Sequence, residues 1–272
     1  MQHALPRAFV LLAAGLFCQI TAAQTRCSAP SAECVVVGEW GISVSLGAGG
    51  RSNPIEGNPD IPLLAIPQIS YYGKRFFLES LELGFTLRES DSNTFNLIAT
   101  PGYDRVFFYR NDLQNIFVSS SIGGQSSPPA EFPVRERHIT YLLGPEWIFN
   151  YGRLIGQLDA LYEVTGEHGG FELRAAFAVP IVQSKGSLVL SSGMTWKSSE
   201  LVSYYYGVEG LYEPGSALNP FVKLGYSLPL SDRWTLSAFA HYEYLGNAVA
   251  NSPIVSEHGS ATVFAGVVVK IL

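Results

Sequence analysis

Apolar and polar residues alternate along several segments of about ten residues in the second half of the chain. From Trp234 to Tyr244, one set of alternate positions carries tryptophan, leucine, alanine and tyrosine, while the other includes threonine, serine, histidine and glutamate. The same pattern recurs from residues 153, 171, 187 and 218. Successive side chains of a strand point to opposite faces, so each segment predicts a β-strand with one apolar face. Such strands, separated by turn residues, are typical of a transmembrane β-barrel.

Turn lengths alternate along the same half of the chain. Short turns at residues 150–152, 184–186 and 231–232 alternate with longer connections at 166–169, 209–216 and 246–260. Outer-membrane barrels have short periplasmic turns and longer outer loops, and both chain ends usually lie in the periplasm, so the strand number is even.

The first half contains strand patterns at residues 39–49, 65–72, 76–87 and 95–103. Dividing residues 76–87 into two short strands gives an all-β, closed, antiparallel barrel of about 12 strands. Ten strands remain the alternative.

The N-terminal residues have the pattern of an export signal. A polar start with Arg7 precedes an apolar stretch at residues 8–20 and small residues up to Ala23, after which we predict cleavage. The apolar stretch is shorter than the roughly 20 residues of a spanning helix. The predicted organisation is a signal peptide at 1–23, a periplasmic segment at 24–38 and one barrel domain at 39–272, in the outer membrane of a Gram-negative bacterium.

Net charge and cysteine content limit the partners and metal ions that the chain is expected to bind. Loss of residues 1–23 leaves 16 basic and 23 acidic residues, a formal net charge of 16 − 23 = −7, which argues against nucleic acid. Cys27 and Cys34 are the two cysteines left. An exported chain meets an oxidising compartment, so a disulfide fits better than zinc, for which two thiols supply half of a usual ligand set. No cofactor-binding motif is present, and we predict no cofactor.

Charged residues on the non-lipid face of the predicted strands are candidates for the barrel interior. Small barrels commonly line their interior with charge pairs, so the prediction for these residues is structural. They are Arg153, Asp159, Glu163, Glu172, Arg174, Lys223 and Glu243.

Three further features could indicate catalysis or ligand recognition, but each also has a structural explanation. His241 and Glu243 share a strand face and could serve a hydrolase, but alternate residues of a strand are neighbours whatever their purpose. His168 follows Glu167, yet the flanking glycines indicate a tight outer turn. An outer-loop motif could form an aromatic girdle, pack a loop or recognise a glycan, and it consists of Tyr204, Tyr205, Tyr206 and Gly207.

Four motifs together resemble the MipA/OmpV family from Trp40 onward. They are Tyr71-Tyr72-Gly73, Gly166-Glu167-His168-Gly169-Gly170, Tyr204-Tyr205-Tyr206-Gly207-Val208 and Asn251-Ser252-Pro253-Ile254-Val255. The resemblance implies an outer-membrane barrel in contact with lipid. It also implies a non-enzymatic scaffold that joins a lytic murein transglycosylase to a penicillin-binding protein that synthesises peptidoglycan. A small passive channel or an adhesin is the alternative, and an outer-membrane hydrolase is the third possibility.

The C-terminus departs from the usual pattern of such barrels. The chain closes on Leu272, where an aromatic residue is usual, and Lys270 falls on the same strand face as Val268 and Phe264. The sequence therefore predicts a lipid-facing lysine near the membrane interface, where such a charge is tolerated.

Overall fold

A computed structural model describes residues 37–109, 136–183 and 185–272. In these ranges, twelve antiparallel strands follow one another around a closed barrel, in which β12 pairs with β1. The strands are β1 (Trp40–Arg51), β2 (Ile61–Tyr72), β3 (Phe76–Glu79), β4 (Glu82–Glu89), β5 (Asn93–Pro101), β6 (Tyr141–Tyr151), β7 (Leu154–Glu163), β8 (Phe171–Gln183), β9 (Ser187–Lys197), β10 (Ala217–Pro229), β11 (Trp234–Tyr244) and β12 (Gly259–Lys270). The predicted closed barrel of 12 strands and the division of residues 76–87 into two strands are confirmed.

In the described parts of the connections between strands there are three short helical segments. A 3-10 helix, Tyr103–Phe107, follows β5; α1, Ser199–Tyr206, follows β9; and α2, Asn247–Ala250, follows β11. Over the ranges that the structure describes, no helix has both the length and the apolar character needed to cross a membrane.

The outer surface of the barrel is apolar. Alternate residues of β8, such as Phe171, Leu173 and Ile181, are half or nearly half exposed, whereas Glu172 and Arg174 between them are buried. This is the reverse of a soluble protein, in which apolar side chains are buried, and it suits a surface in contact with lipid.

The barrel has two unlike ends. One end, the short-turn end, carries the described connecting residues 73–75, 90–92, 152–153, 185–186 and 230–233. The other, the long-loop end, carries the described connecting residues 52–60, 80–81, 102–109, 136–140, 164–170, 198–216 and 245–258. By the usual orientation of such barrels, the short-turn end is periplasmic.

The wall of the barrel is incomplete beside β3. This strand has four residues and pairs with β2 only from Ser70 to Tyr72, so the preceding part of β2 is paired with β1 alone. The hairpin between β3 and β4 turns at Ser80, whose φ of 54° is positive. A strand of four residues is too short to show a clear alternation in the sequence.

The prediction that Lys270 faces lipid is wrong. Lys270 pairs with Ser43, which is two residues from the fully buried Ser45, and Phe264 on the same face of β12 is 3% exposed. The ring of Phe264 packs against that of Phe239 with centroids 5.9 Å apart. This face of β12 therefore points inward. Part of the barrel interior is itself apolar, so an apolar strand face does not always face lipid.

Candidate functional site: the outer plug and the interior charges

The outer connections fold into the mouth of the barrel. Their apolar side chains pack with Leu63, Ile66, Ala217, Phe239 and Phe264 of the strands into one buried cluster. We call the loop part of this cluster the outer plug. It consists of Ile55, Val106, Phe107, Phe108, Leu201, Val202, Tyr204, Tyr205, Tyr206, Val208, Leu245, Val249, Ala250 and Ile254.

Two of the motif tyrosines connect α1 to neighbouring loops. The Tyr204 hydroxyl donates to Glu167 Oε2 at 3.1 Å and accepts from the backbone N–H of His138 at 2.8 Å. The Tyr205 and Thr140 hydroxyls share a hydrogen bond of 3.1 Å. Burial raises the pKa of both tyrosines, so both hydroxyls stay protonated. Of the three predicted roles for the motif, loop packing is the one that these contacts support.

Tyr206 belongs to a buried charge network. Its hydroxyl donates to Asp104 Oδ1 at 2.6 Å, and Lys197 Nζ donates to both oxygens of the same carboxylate at 2.7 and 2.9 Å. The backbone carbonyl of Tyr206 accepts from the Ser252 hydroxyl at 2.6 Å. Burial and the Asp104 charge raise the pKa of Tyr206, which keeps the hydroxyl a donor. The network joins α1 to the connections after β5 and β11 and to the end of β9.

Arg137 supports the plug from the connection between β5 and β6. Its guanidinium lies 3.9 Å from the ring centroid of Phe108 and donates from Nε and Nη2 to the backbone carbonyl of Tyr205 at 2.9 and 2.5 Å. Burial lowers the pKa of Arg137 to about 10, so it remains charged at neutral pH. The sequence pattern did not single out this residue, because its partners are distant in sequence.

Gly207, the last residue of the motif, is needed where α1 ends. Its backbone N–H donates to the carbonyl of Ser203 at 3.0 Å, and a Cβ on Gly207 would lie 2.4 Å from that oxygen. A larger residue would therefore push the chain away from the end of the helix.

Glu163 organises the connection between β7 and β8. Its carboxylate accepts hydrogen bonds from the backbone N–H groups of residues 165 to 169 and from the Thr165 hydroxyl. His168 accepts from the backbone N–H of Gly170 through Nδ1 at 3.0 Å. Burial lowers the pKa of His168, so the neutral ring serves as this acceptor. Glu163 is thus buried, as an interior residue would be, and its hydrogen bonds hold the loop at residues 165–169.

The predicted tight turn around His168 is confirmed by the backbone. Gly166 and Gly169 have φ values of 85° and 60°, which residues with a side chain rarely adopt. Within the described part of the chain, no group of three or more histidine, cysteine, aspartate or glutamate side chains is arranged to hold a metal ion.

Three predicted interior charges lie together on β7 and β8. Asp159, Glu172 and Arg174 are all at most 4% exposed, and Arg174 Nε lies 2.5 Å from Glu172 Oε1. Asp159 and Arg174 are cross-strand partners. These residues contribute to one charged wall of the interior.

The same wall contains polar residues that the sequence analysis missed. Glu146 is 1% exposed and accepts from Asn96 Nδ2 at 2.6 Å and Gln157 Nε2 at 2.9 Å. On β3, Glu79 accepts from the Tyr72 hydroxyl. The alternation of β6 could have identified Glu146, whereas the short β3 offered no pattern.

Of the remaining predicted interior charges, Glu243 and Lys223 face the interior and Arg153 does not. Glu243 is 3% exposed and accepts from Asn219 Nδ2 at 2.9 Å, while Lys223 lies half-buried with Nζ 5.4 Å from the ring centroid of Phe239. Arg153 does not line the interior, because β6 ends at residue 151 and Arg153 is exposed in the turn that follows. Alternation cannot place a residue beyond the end of its strand.

His241 occupies the interior face of β11 and is 7% exposed. Its cross-strand partners are Thr262 and Lys223, and its ring lies 5.5 Å from that of Phe221. The hydrolase interpretation requires a serine close to His241, and neither cross-strand partner is one. Cys27, Cys34 and the predicted signal peptide lie outside the described residues, so the disulfide and the cleavage site stay predictions.

Comparison with known proteins identifies the family of this barrel. A family model described as "MltA-interacting protein MipA" matches residues 44–270. The chain belongs to the MipA family. The chain is similar to the outer membrane protein YiaT of Escherichia coli K12, with 24% identity over 83% of this chain and 89% of that protein. OmpV of Vibrio cholerae is 29% identical over 35% of this chain and 40% of its own.

The chain is also similar to the MltA-interacting protein of Escherichia coli K12, with 21% identity over 85% of this chain and 91% of that protein. YiaT and OmpV are both named outer membrane proteins. The family and the fold together make this protein an outer-membrane β-barrel.

Proposed function

We propose that this barrel is a non-enzymatic scaffold whose short-turn end binds a lytic murein transglycosylase and a penicillin-binding protein that synthesises peptidoglycan. Family membership supports the transglycosylase as a partner, because one relative is named MltA-interacting protein. The observation that carries the proposal is a separation of charge between the two ends of the barrel.

The short-turn end is basic, although the whole chain has a formal net charge of −6. This end carries seven exposed basic residues and four exposed acidic residues, which gives it a net charge of 7 − 4 = +3. The acidic residues are Glu39, Glu89, Asp91 and Asp232. We call the basic residues the periplasmic rim. They are Lys74, Arg75, Arg88, Arg153, Lys185, Arg233 and Lys270, and all of them are exposed.

The long-loop end has the opposite character. The basic residues that the structure describes there, Arg51, Arg105, Arg137 and Lys197, are all buried or half-buried. Its exposed carboxylates are Glu56, Asp60, Glu136, Glu200, Glu209, Glu213 and Glu257. A basic periplasmic rim favours partners with acidic surfaces on that side of the membrane, because complementary potentials steer and orient association.

The outer plug supports a scaffold over the alternative of a passive channel. A barrel of 12 strands has a wider interior than the eight-stranded barrels that side chains alone can fill. Here the loops supply that filling at the outer mouth, where the plug residues are almost completely buried. A closed mouth suits a protein whose working surface is the periplasmic end.

The proposal is tested by crosslinking in cells, followed by recovery of the barrel. Lys74→Glu, Arg75→Glu and Lys185→Glu together should reduce recovery of the transglycosylase and the synthase about tenfold, because each reversal turns an attraction into a repulsion. The matched control is Glu200→Lys, Glu209→Lys and Glu213→Lys, which changes the same number of charges at the other end. Equal recovery of both enzymes by the rim variant and the control would contradict the proposal.

A further inference from the structure

Arg51 is a buried cation whose hydrogen bonds are incomplete. Its side chain, at the end of β1, is 2% exposed, and Nε donates to Thr262 Oγ1 at 3.3 Å. Neither Nη1 nor Nη2 has a hydrogen-bond partner in the part of the chain that the structure describes. Buried polar groups nearly always have partners, and a guanidinium does not become neutral to avoid the cost of burial. The missing acceptors therefore need an explanation.

Arg51 is one end of a continuous row of interior side chains. Cross-strand pairing runs from Arg51 to Thr262, then to His241, then to Lys223. The charges of Arg51 and Lys223 both act on His241, which lies between them. We call these four residues the interior basic row.

Glu243 is the carboxylate nearest in sequence to the interior basic row, and it does not hydrogen-bond to Nη1 or Nη2 of Arg51. Glu243 lies two residues from His241 on the same face of β11, and its charge acts on Arg51. Its Oε1, however, accepts from Asn219 Nδ2 at 2.9 Å, and no hydrogen bond joins it to the guanidinium. A second group with oxygen acceptors would be needed to satisfy Nη1 and Nη2.

Solvent reaches the row from one end. Lys223 faces the interior beside Phe239, yet it is only half-buried, and so is its cross-strand partner Ser191 on β9. Arg51 and Thr262 at the other end are almost completely buried. A small solute could thus approach along the row from Lys223 towards Arg51.

We propose that the interior basic row is a binding site for an oxyanion, namely the carboxylate or phosphate group of a small molecule. The planar fork of a guanidinium donates two parallel hydrogen bonds to the oxygens of either group. The Thr262 hydroxyl and the Lys223 ammonium add donors along the same line. This function is separate from the proposed scaffold, which uses exposed residues of the periplasmic rim.

The test measures anion-dependent stabilisation of the purified barrel in non-ionic detergent. The temperature at which the compact form is lost on a gel is compared in chloride, in inorganic phosphate and in acetate at equal ionic strength. An anion that binds only the folded state raises this temperature in proportion to its occupancy. Arg51→Met should abolish the rise, whereas Arg153→Met, which removes an exposed arginine, should keep it.

The same variant distinguishes a binding residue from a structural one. In chloride alone, Arg51→Met should unfold at the same or a higher temperature than the wild type, because an incompletely bonded buried charge is replaced by an apolar chain. A rise in phosphate alone would assign a phosphate ligand, a rise in acetate alone a carboxylate ligand, and a rise in both a general oxyanion site. A rise of equal size in Arg51→Met, or no rise in the wild type, would overturn the proposal.

A second variant covers the case in which Arg51→Met fails to fold. Lys223→Met removes the solvent-accessible end of the row, and it should weaken phosphate binding measured by broadening of the phosphorus NMR signal. Unchanged broadening would also overturn the site. Rim variants should keep the anion response, so failure of the scaffold proposal and failure of this one are distinguishable.

Discussion

The buried network of Asp104, Lys197 and Tyr206 provides a quantitative test of how the outer plug is held. Lys197 Nζ contacts both Asp104 oxygens, at 2.7 and 2.9 Å, and the two side chains are 3% and 2% exposed. Asp104→Asn would leave the ammonium buried without its counter-charge. Breaking such a pair costs about 3 to 5 kcal/mol of unfolding free energy. Tyr206→Phe removes one hydrogen bond to the carboxylate and should cost about 1.5 to 3 kcal/mol.

The measurement is urea-induced unfolding of the refolded barrel in lipid vesicles, followed by tryptophan fluorescence. Asp232→Asn, at an exposed turn, is the matched control and should stay within about 0.5 kcal/mol of the wild type. Joint replacement by Asp104→Leu and Lys197→Met should recover most of the loss, because no unpaired charge remains. A cost below about 1 kcal/mol for Asp104→Asn would refute the view that this ion pair holds the plug.

Three further predictions concern the mouth, the outer turn and the cysteines. In planar bilayers the wild type should give no steady conductance, and Tyr205→Ala with Tyr206→Ala should open one; a conducting wild type would restore the channel interpretation. Because the folded pKa of His168 lies below 6.5, the unfolded state binds more protons, so stability should fall as pH drops below 6.5, and His168→Gln should flatten this dependence in pH-dependent unfolding. Alkylation of Cys27 and Cys34 should need prior reduction; labelling of the unreduced protein would rule out the disulfide.

The strand content of this protein could be predicted because alternation is a local property. Residues 171–181 show their apolar and polar faces without reference to any other part of the chain, and Asp159, Glu172, Arg174 and Glu243 are buried as that pattern predicts. The weaker prediction for residues 76–87 has a physical cause as well. β3 has only four residues, too few to establish a period.

The sequence by itself therefore determined the class of fold, the interior face of most strands and the family motifs. Only the tertiary structure showed that Tyr204, Tyr205 and Tyr206 are buried in the outer plug, that Nη1 and Nη2 of Arg51 have no hydrogen-bond partner among the described residues, and that Lys270 lies on the interior face of β12. These properties depend on contacts between distant residues: Lys197 and Asp104 are 93 positions apart, and Arg51 and Thr262 are 211 apart. Strand periodicity assigns a side chain to a face, but cross-strand register and the inward folding of loops decide what it meets there.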